Sequence, residues 1–407
     1  MNLTKRYQLY LTPKEEGKVD EIMAECAKLW NELIQISVEY HKENNSYLTA
    51  FDLQKRVQSK YNIHSDTIGA LCQRFQGNIR TTLTLKRQGY YKTKFPYKVK
   101  EKVTISGKKR QILKNNFISL FKKVRIKIDE NIPLNEASSF HIKKVKSSYY
   151  LFITLEQKEQ PQVKSDNMCA VDLGEVHSIS SIDTNGNQYI ISGRELRSYK
   201  RYRNKVHKYT KQKQKQLKEG SKLHKRLEKL REETSKKTNN KNRNILHHAT
   251  DKFIEKCKEN NVSEVVVGDC RTVGNSTKQN KTTNRANRQK LSQFAHGTLR
   301  FMLRYKCELN GIKFSEVEES WTTQTCPACG CLNKPKGRNY QCSSCKFVEH
   351  RDIVGSFNIL RKVRDVDIGI LKEKKLVGIH PLKVSRRKNS SRSTGLVPLN
   401  NSLLSVT

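Results

Sequence analysis

No stretch of the 407 residues approaches the ~18 consecutive apolar residues that a membrane-spanning helix needs, and no leader-peptide pattern follows Met1. The expectation is a soluble, intracellular chain with no membrane partner. A disulfide framework is missing too. Of the 11 cysteines, Cys26, Cys72, Cys169, Cys257, Cys270, Cys307 and Cys331 are scattered among apolar or mixed neighbours without regular spacing. Acid is scarce: 39 Asp and Glu stand against 80 Lys and Arg, a formal charge of +41. That excess is larger than solubility needs and is the footprint of a polyanion binder, with nucleic acid as the natural partner.

The remaining four cysteines are ordered. Cys326-Pro-Ala-Cys329 and Cys342-Ser-Ser-Cys345 form two Cys-x-x-Cys pairs separated by twelve residues. Such pairs place four thiolates at the corners of a tetrahedron, which is what structural Zn2+ requires. The closed ligand set leaves no open position, so this ion holds the fold and does no chemistry.

A chain of this length has room for two or three cores. Tyr7, Leu9 and Leu11 alternate as in a strand. Thr12-Pro13-Lys14-Glu15 then supplies an N-cap, a proline at the first helical position and a capping-box glutamate. Val19, Ile22, Met23, Cys26, Trp30, Leu33 and Ile34 continue at helical spacing, and two further helical patterns follow near Ala50–Tyr61 and Ile68–Leu83. From about Gly89 the pattern turns to strands, Phe117–Phe121, Val124–Ile128, Phe140–Val145 and Tyr149–Leu155, suggesting a β-barrel into which the helical unit is inserted.

Near Asn167 a different domain begins. Met168–Val171 reads as a buried strand ending in Asp172-Leu173-Gly174, and Ser178–Ile182 and Gln188–Ile191 flank the turn Thr184-Asn185-Gly186 as a hairpin. Strand, hairpin and then helices open an RNase H-like α/β fold. Two long basic helices broken near Gly220, a helix around Ile245–Lys258, a strand at Glu264–Val267, a polar loop at Asn275–Asn287, a helix around Leu291–Asn310, a strand at Lys313–Val317 and a last helix after Asp352 complete the reading. Beyond Arg364 periodicity fades into what reads as a basic tail.

Two-metal nucleases need carboxylates that converge from distant segments, with two ions roughly 4 Å apart astride the scissile phosphate. Asp172, ending a buried strand, and Asp352, opening a helix after the cysteine hairpins, suit that task. Each alone has a plain explanation, since Asp-x-Gly is a common turn and Asp a favoured helix-start residue. The run from Ser320-Trp321-Thr322-Thr323-Gln324-Thr325 to Cys326-Pro327-Ala328-Cys329-Gly330, with His350-Arg351-Asp352-Ile353-Val354-Gly355-Ser356-Phe357-Asn358-Ile359, resembles the TnpB family of transposon-encoded RNA-guided DNA nucleases. Fanzor proteins and compact type V CRISPR effectors are similar in plan.

The resemblance implies a multidomain α/β protein. A wedge-type β-barrel would be formed by 1–11 and 89–160, with a helical recognition lobe at 12–88. A RuvC nuclease domain would follow at 167–325 and 346–364, carrying a target-binding zinc ribbon at 326–345, and a flexible basic tail would run over 365–407. It also implies Mg2+ or Mn2+ at a two-metal site, a guide RNA of the transposon-derived omega type, and a double-stranded DNA target with a short flanking motif read by the protein.

The chain departs from the family at one place. Family members usually carry a glutamate at the end of the fourth RuvC strand, where Val265-Val266-Val267-Gly268-Asp269 has Gly268. The neighbouring strand Lys313–Val317 delivers Glu318 and Glu319 to the same sheet edge, and relocation of the acid is known in some lineages of the family. Glu319 is the expected third metal-binding catalytic residue beside Asp172 and Asp352, with Asp269 as runner-up. Glu318 is expected to matter less, because successive strand residues point to opposite faces. Two other readings stand beside this one: a nuclease-dead RNA-guided repressor, favoured by Gly268, and a zinc-ribbon RNA-binding protein, which leaves the three acids unexplained.

Overall fold

The computed structural model describes residues 2–381, apart from 100, 114, 123, 146, 158, 159, 270–288, 290–292, 294 and 336. The chain divides into two compact units, Met1–Lys158 and Glu159–Thr407. Among the described residues no helix is long and apolar enough to cross a membrane.

In the first unit, strand β1 (Asn2–Leu9) leads into helix α1 (Pro13–Asn44), followed by α2 (Ala50–Val57) and α3 (Ser65–Arg87). The start of α1 is set locally. The Thr12 hydroxyl accepts from the Glu15 N–H at 3.4 Å, and the Thr12 N–H donates back to the Glu15 carboxylate at 2.9 Å, satisfying two donors the helix cannot. Six short strands follow: β2 (Ile105–Lys108), β3 (Ile112–Leu113), β4 (Phe117–Phe121), β5 (Val124–Lys127), β6 (Ala137–Val145) and β7 (Ser148–Glu156). They hydrogen-bond in two antiparallel sheets, ordered β1-β7-β6-β2 and β3-β4-β5. The helices and both sheets share one apolar core, in which Trp30 meets the ring of Phe75 edge-on at 5.2 Å. β2 escaped the sequence pattern because its Gly107 contributes no side chain; the ring of Phe140 fills the space a Cβ would take.

The second unit is built on a six-stranded sheet. Strands β8 (Met168–Asp172), β9 (His177–Asp183), β10 (Gln188–Ser192), β11 (Glu264–Asp269), β12 (Lys313–Glu318) and β15 (Val377–Ile379) lie in the order β12-β11-β8-β9-β10-β15. β8, β11 and β12 run parallel, and β9 runs antiparallel between β8 and β10. Helices cover both faces, and strand alternation divides the core between them. Cys169, Val171, Val265 and Val267 pack with α5 (Lys222–Glu259) and α6 (His296–Leu309), whereas Ala170 and Val266 pack under α7 (Arg351–Arg361) and α8 (Ile370–Glu373). Between β12 and α7, the hairpin of β13 (Asn339–Gln341) and β14 (Val348–His350) carries Cys342 and Cys345 in its turn, and Cys326 and Cys329 precede it.

Two expectations are corrected. The two basic helices broken near Gly220 are α4 (Arg194–Gln214) and α5, but the helix expected separately around Ile245–Lys258 is the end of α5, which runs unbroken from Lys222 to Glu259. Its middle turns look solvent-facing in sequence, but Thr234 and Thr238 are buried, and the Thr238 hydroxyl donates to the Thr234 carbonyl at 2.8 Å. Buried threonines that satisfy themselves on the helix carry the core stripe across a polar stretch. The tail expected to begin at residue 365 also starts too early. Val366, Ile370 and Leu371 are buried, and β15 adds a parallel strand beside β10. A four-residue helix and a three-residue strand are too short to show a period, and Gln188 fixes them by donating to the Leu371 carbonyl at 2.9 Å. The remainder of that tail, 382–407, and the polar loop Asn275–Asn287 lie outside the described residues.

Candidate functional site

β8 ends at Asp172 in the middle of the sheet, where the strand order brings the ends of β11 and β12 alongside. Burial comes first, and the negative charges of Glu319 and Asp352 second, in pushing the Asp172 carboxyl up to about 8. The Asp172 carboxyl therefore feels the charges of two carboxylates from sequence-distant segments. α7 approaches closely because it presents Gly355: a Cβ there would lie 2.5 Å from Asp172 Oδ2.

Gly268 pairs with Val317 across the β11–β12 ladder, and Asp269 pairs with Glu318. Glu319 is the first residue beyond β12, and it folds back over the glycine. A Cβ at Gly268 would meet Glu319 Oε2 at 2.9 Å and its Cβ at 3.1 Å. Burial, helped by the Asp269 charge, raises the Glu319 carboxyl. Glu318 is exposed and accepts from the Ser320 hydroxyl at 2.7 Å. Asp269, the runner-up, is engaged by Arg300 at 3.0 Å, and the same guanidinium reaches Glu316 at 3.3 Å.

Asp352 sits in the first turn of α7, whose N-cap is His350; the Asp352 N–H donates to His350 Nδ1 at 3.3 Å. The buried carboxylate is held on two sides. His177 Nδ1 donates to Oδ2 at 2.6 Å, and Arg338 Nη1 lies 3.0 and 2.8 Å from Oδ1 and Oδ2. Burial works to raise this carboxyl, but the His177 hydrogen bond and the Arg338 charge outweigh it and hold Asp352 below the usual range. Neither His177 nor Arg338 was singled out from the sequence. His177 follows Asp172 by one tight turn and Arg338 precedes the second cysteine pair, so position relative to known motifs was the only signal.

The four ribbon thiols converge as their spacing predicts. The Sγ atoms of Cys326, Cys329, Cys342 and Cys345 all lie within 4.8 Å of one another, with Cys326–Cys345 at 3.6 Å and Cys329–Cys342 at 3.5 Å. A tetrahedral zinc site with Zn–S near 2.3 Å has S···S edges of about 3.8 Å, so the donor set fits that ion. Asn333 Nδ2 donates to Cys342 Sγ at 3.4 Å and to the buried Tyr340 hydroxyl at 3.1 Å, an outer contact that orients the thiolate. Val354 of α7 joins Cys326, Tyr340 and Cys342 in a small apolar cluster, and Asn358 donates to the Thr322 and Thr325 carbonyls at 2.7 and 2.8 Å. The ribbon is thereby tied to the helix that bears Asp352.

Two family profiles match. Residues 152–274 match one described as "Probable transposase", and residues 296–359 match the Cas12f1-like TNB domain. A TnpB-like protein of Methanocaldococcus jannaschii is 29% identical over 204 residues, covering 49% of this chain and 70% of that protein. A protein of Paramecium bursaria Chlorella virus 1 named as a transposase is 35% identical over 77 residues, 18% of each chain. Among solved structures, the Cas12f1 chain of a complex with sgRNA and target DNA superposes with a TM-score of 0.59 at 14% identity, covering 86% of this chain and 83% of that one. That likeness gives the fold as the RuvC-like, multidomain α/β arrangement. Both profiles, the archaeal relative and the fold agree in their likeness to the TnpB family.

Proposed function

We propose that the chain is an RNA-guided DNA endonuclease in which Asp172, Glu319 and Asp352 bind two divalent ions, Mg2+ or Mn2+. The observations that carry this reading are geometric: Glu319 fills the space over Gly268 and Gly355 lets α7 approach Asp172, whose carboxyl is raised first by burial and then by the charges of Glu319 and Asp352. Like charges gathered in a partly buried site repel one another, and divalent cations are the natural way to relieve that. Bound ions would supply an activated water and stabilise the leaving 3′ oxygen. Asp172 and Asp352 present metal-binding oxygens from the sheet and from α7, Glu319 completes the set from the turn after β12, and His177 orients the Asp352 carboxylate.

The rest of the chain is assigned accordingly. The sheets of the first unit are the wedge, α1–α3 the recognition lobe, and the four-cysteine ribbon a zinc-stabilised module that engages the target. A guide RNA supplies sequence specificity by pairing, while the protein reads a flanking duplex motif. The large basic excess tracks phosphates. Gly268 favours a second reading, a repressor that binds without cutting; the position of Glu319 over that glycine speaks against it.

The test is a cleavage assay on the protein purified with its copurifying RNA, using labelled duplexes that match the sequenced RNA. Cutting with Mg2+ or Mn2+ supports the nuclease. RNA-directed binding that never leads to cutting supports the repressor. Binding without dependence on the RNA sequence overturns both.

A further inference from the structure

Trp321 stands two residues beyond Glu319 and is 61% exposed. Its φ of +67° lies in the left-handed region, which a bulky side chain occupies at a cost and which Gly or Asn fills more readily. The surrounding hydrogen bonds enforce that conformation. The Trp321 carbonyl accepts from the N–H groups of Gln324 at 2.9 Å and Thr325 at 3.0 Å, and from the Thr325 hydroxyl at 3.0 Å. The next residue, Thr322, is buried and returns to the Glu319 carbonyl through its N–H at 3.2 Å and its hydroxyl at 2.9 Å. Lys362 Nζ braces the near side of the turn by donating to the carbonyls of Glu318 at 2.6 Å and Ser320 at 3.3 Å.

The backbone on each side is fixed while the indole is left in water. Among the described residues packing gives no reason for an aromatic here, and the φ disfavours one, so the ring is available to a partner. The turn that bears it narrows the occupant to a group that brings a flat π-face and a negative charge together: Glu319, two residues back, belongs to the proposed cation-binding edge, and the Lys362 ammonium is held against the Glu318 and Ser320 carbonyls. A nucleotide has both features. We infer that Trp321 is a stacking platform for one base of the single DNA strand whose phosphate reaches the Asp172–Glu319–Asp352 edge, so that the ring sets where along the strand the cut falls. This deepens the proposed function and rests on it.

The chain has two tryptophans, and Trp30 is buried against Phe75, so Trp321 alone can report stacking by emission. The RNA-bound protein is titrated with a matched, 5′-labelled single-stranded oligodeoxynucleotide, with Ca2+ replacing Mg2+. Label anisotropy gives binding, and tryptophan emission gives contact. The expected result is quenching that saturates with the anisotropy. In Mg2+, Trp321→Ala should raise KM by about tenfold, the loss of one stacked base, with kcat changed far less, and Trp321→Phe should recover most of the loss.

Trp321→Gly separates ring from backbone, because it relieves the strained φ but removes the indole. It should behave like the Ala variant in binding while melting no lower than wild type. Binding without quenching, or a Gly variant with wild-type KM, would overturn the stacking role and leave the nuclease reading intact. If wild-type protein neither binds nor cuts matched DNA, the nuclease reading and this inference fail together.

Discussion

Arg338, beside the four-cysteine cluster, places one guanidinium nitrogen within 3.0 Å of both carboxylate oxygens of Asp352, in the first turn of α7. A cation already lies where a divalent ion would bind, so the two compete. Replacing Arg338 with Met should tighten Mn2+ binding severalfold and lower the Mg2+ concentration for half-maximal cleavage. Isothermal titration with Mn2+ measures the first directly, and an unchanged or weaker affinity would show that the arginine assists the metal.

The space over Gly268 holds Glu319 or a side chain at 268, but not both. Gly268→Glu alone should destabilise by about 1–3 kcal/mol through overpacking against Glu319 and Ile359. Glu319→Gln alone should abolish cleavage with little effect on binding. The double variant Gly268→Glu/Glu319→Ser should regain the lost stability and part of the activity. Asp269→Asn, which removes the charge facing Arg300, and Glu318→Gln should still cut. Cleavage by Glu319→Gln together with an inactive Asp269→Asn would move the third acid to Asp269.

Metal-free stability should fall with rising pH. Asp172 is raised in the folded state to about 8 from an unfolded value near 3.9, so between those values the folded chain binds more protons than the unfolded one. The favourable term is complete below about pH 4, is lost as pH rises, and is gone above about 8. The raised Glu319 adds the same sign. Asp172→Asn should flatten this slope and raise the melting temperature at pH 8 by several degrees in buffer without Mg2+ or Mn2+. Differential scanning calorimetry from pH 5 to 9 reads it, and parallel curves for the two proteins would refute the assignment.

One Zn2+ per molecule should be found by elemental analysis, and Cys342→Ser should lose it. Because Cys326 and Cys342 pack with Val354 of α7, metal loss should also disturb the helix that carries Asp352. Target binding and cleavage should both collapse, and added Mg2+ should restore neither. Retained cleavage in the zinc-free variant would make the ribbon dispensable.

The sequence made legible those features whose physics is local. The Thr12–Glu15 capping box, the Cys-x-x-Cys pairs and the buried strand ending at Asp172 are each decided within a few residues, and they appear where expected. The place of Glu319 beside Gly268 was readable because it is the first residue after a strand that runs parallel to β11. What stayed hidden depends on partners far along the chain. Nothing local marks His177 or Arg338 as facing Asp352, since only the fold of β9 and the ribbon brings them there. Likewise the buried Thr234 and Thr238 look polar until α4 packs on α5, where His207 meets the Ser235 hydroxyl at 2.8 Å.

With the glutamate beyond β12 instead of at the end of β11, two of the three convergent carboxylates, the ribbon, Arg338 and Trp321 all lie in one contiguous stretch, Glu319 to Asp352. An acid at position 268 would stand apart from the others, on the far side of α6 in the sequence. Here they are inherited together. A recombination event, or a deliberate graft, that exchanges β12 through α7 between relatives carries Glu319, Asp352, the Arg338 cation and Trp321 as a single cassette, and asks of the recipient only a matching Asp172 and a glycine opposite.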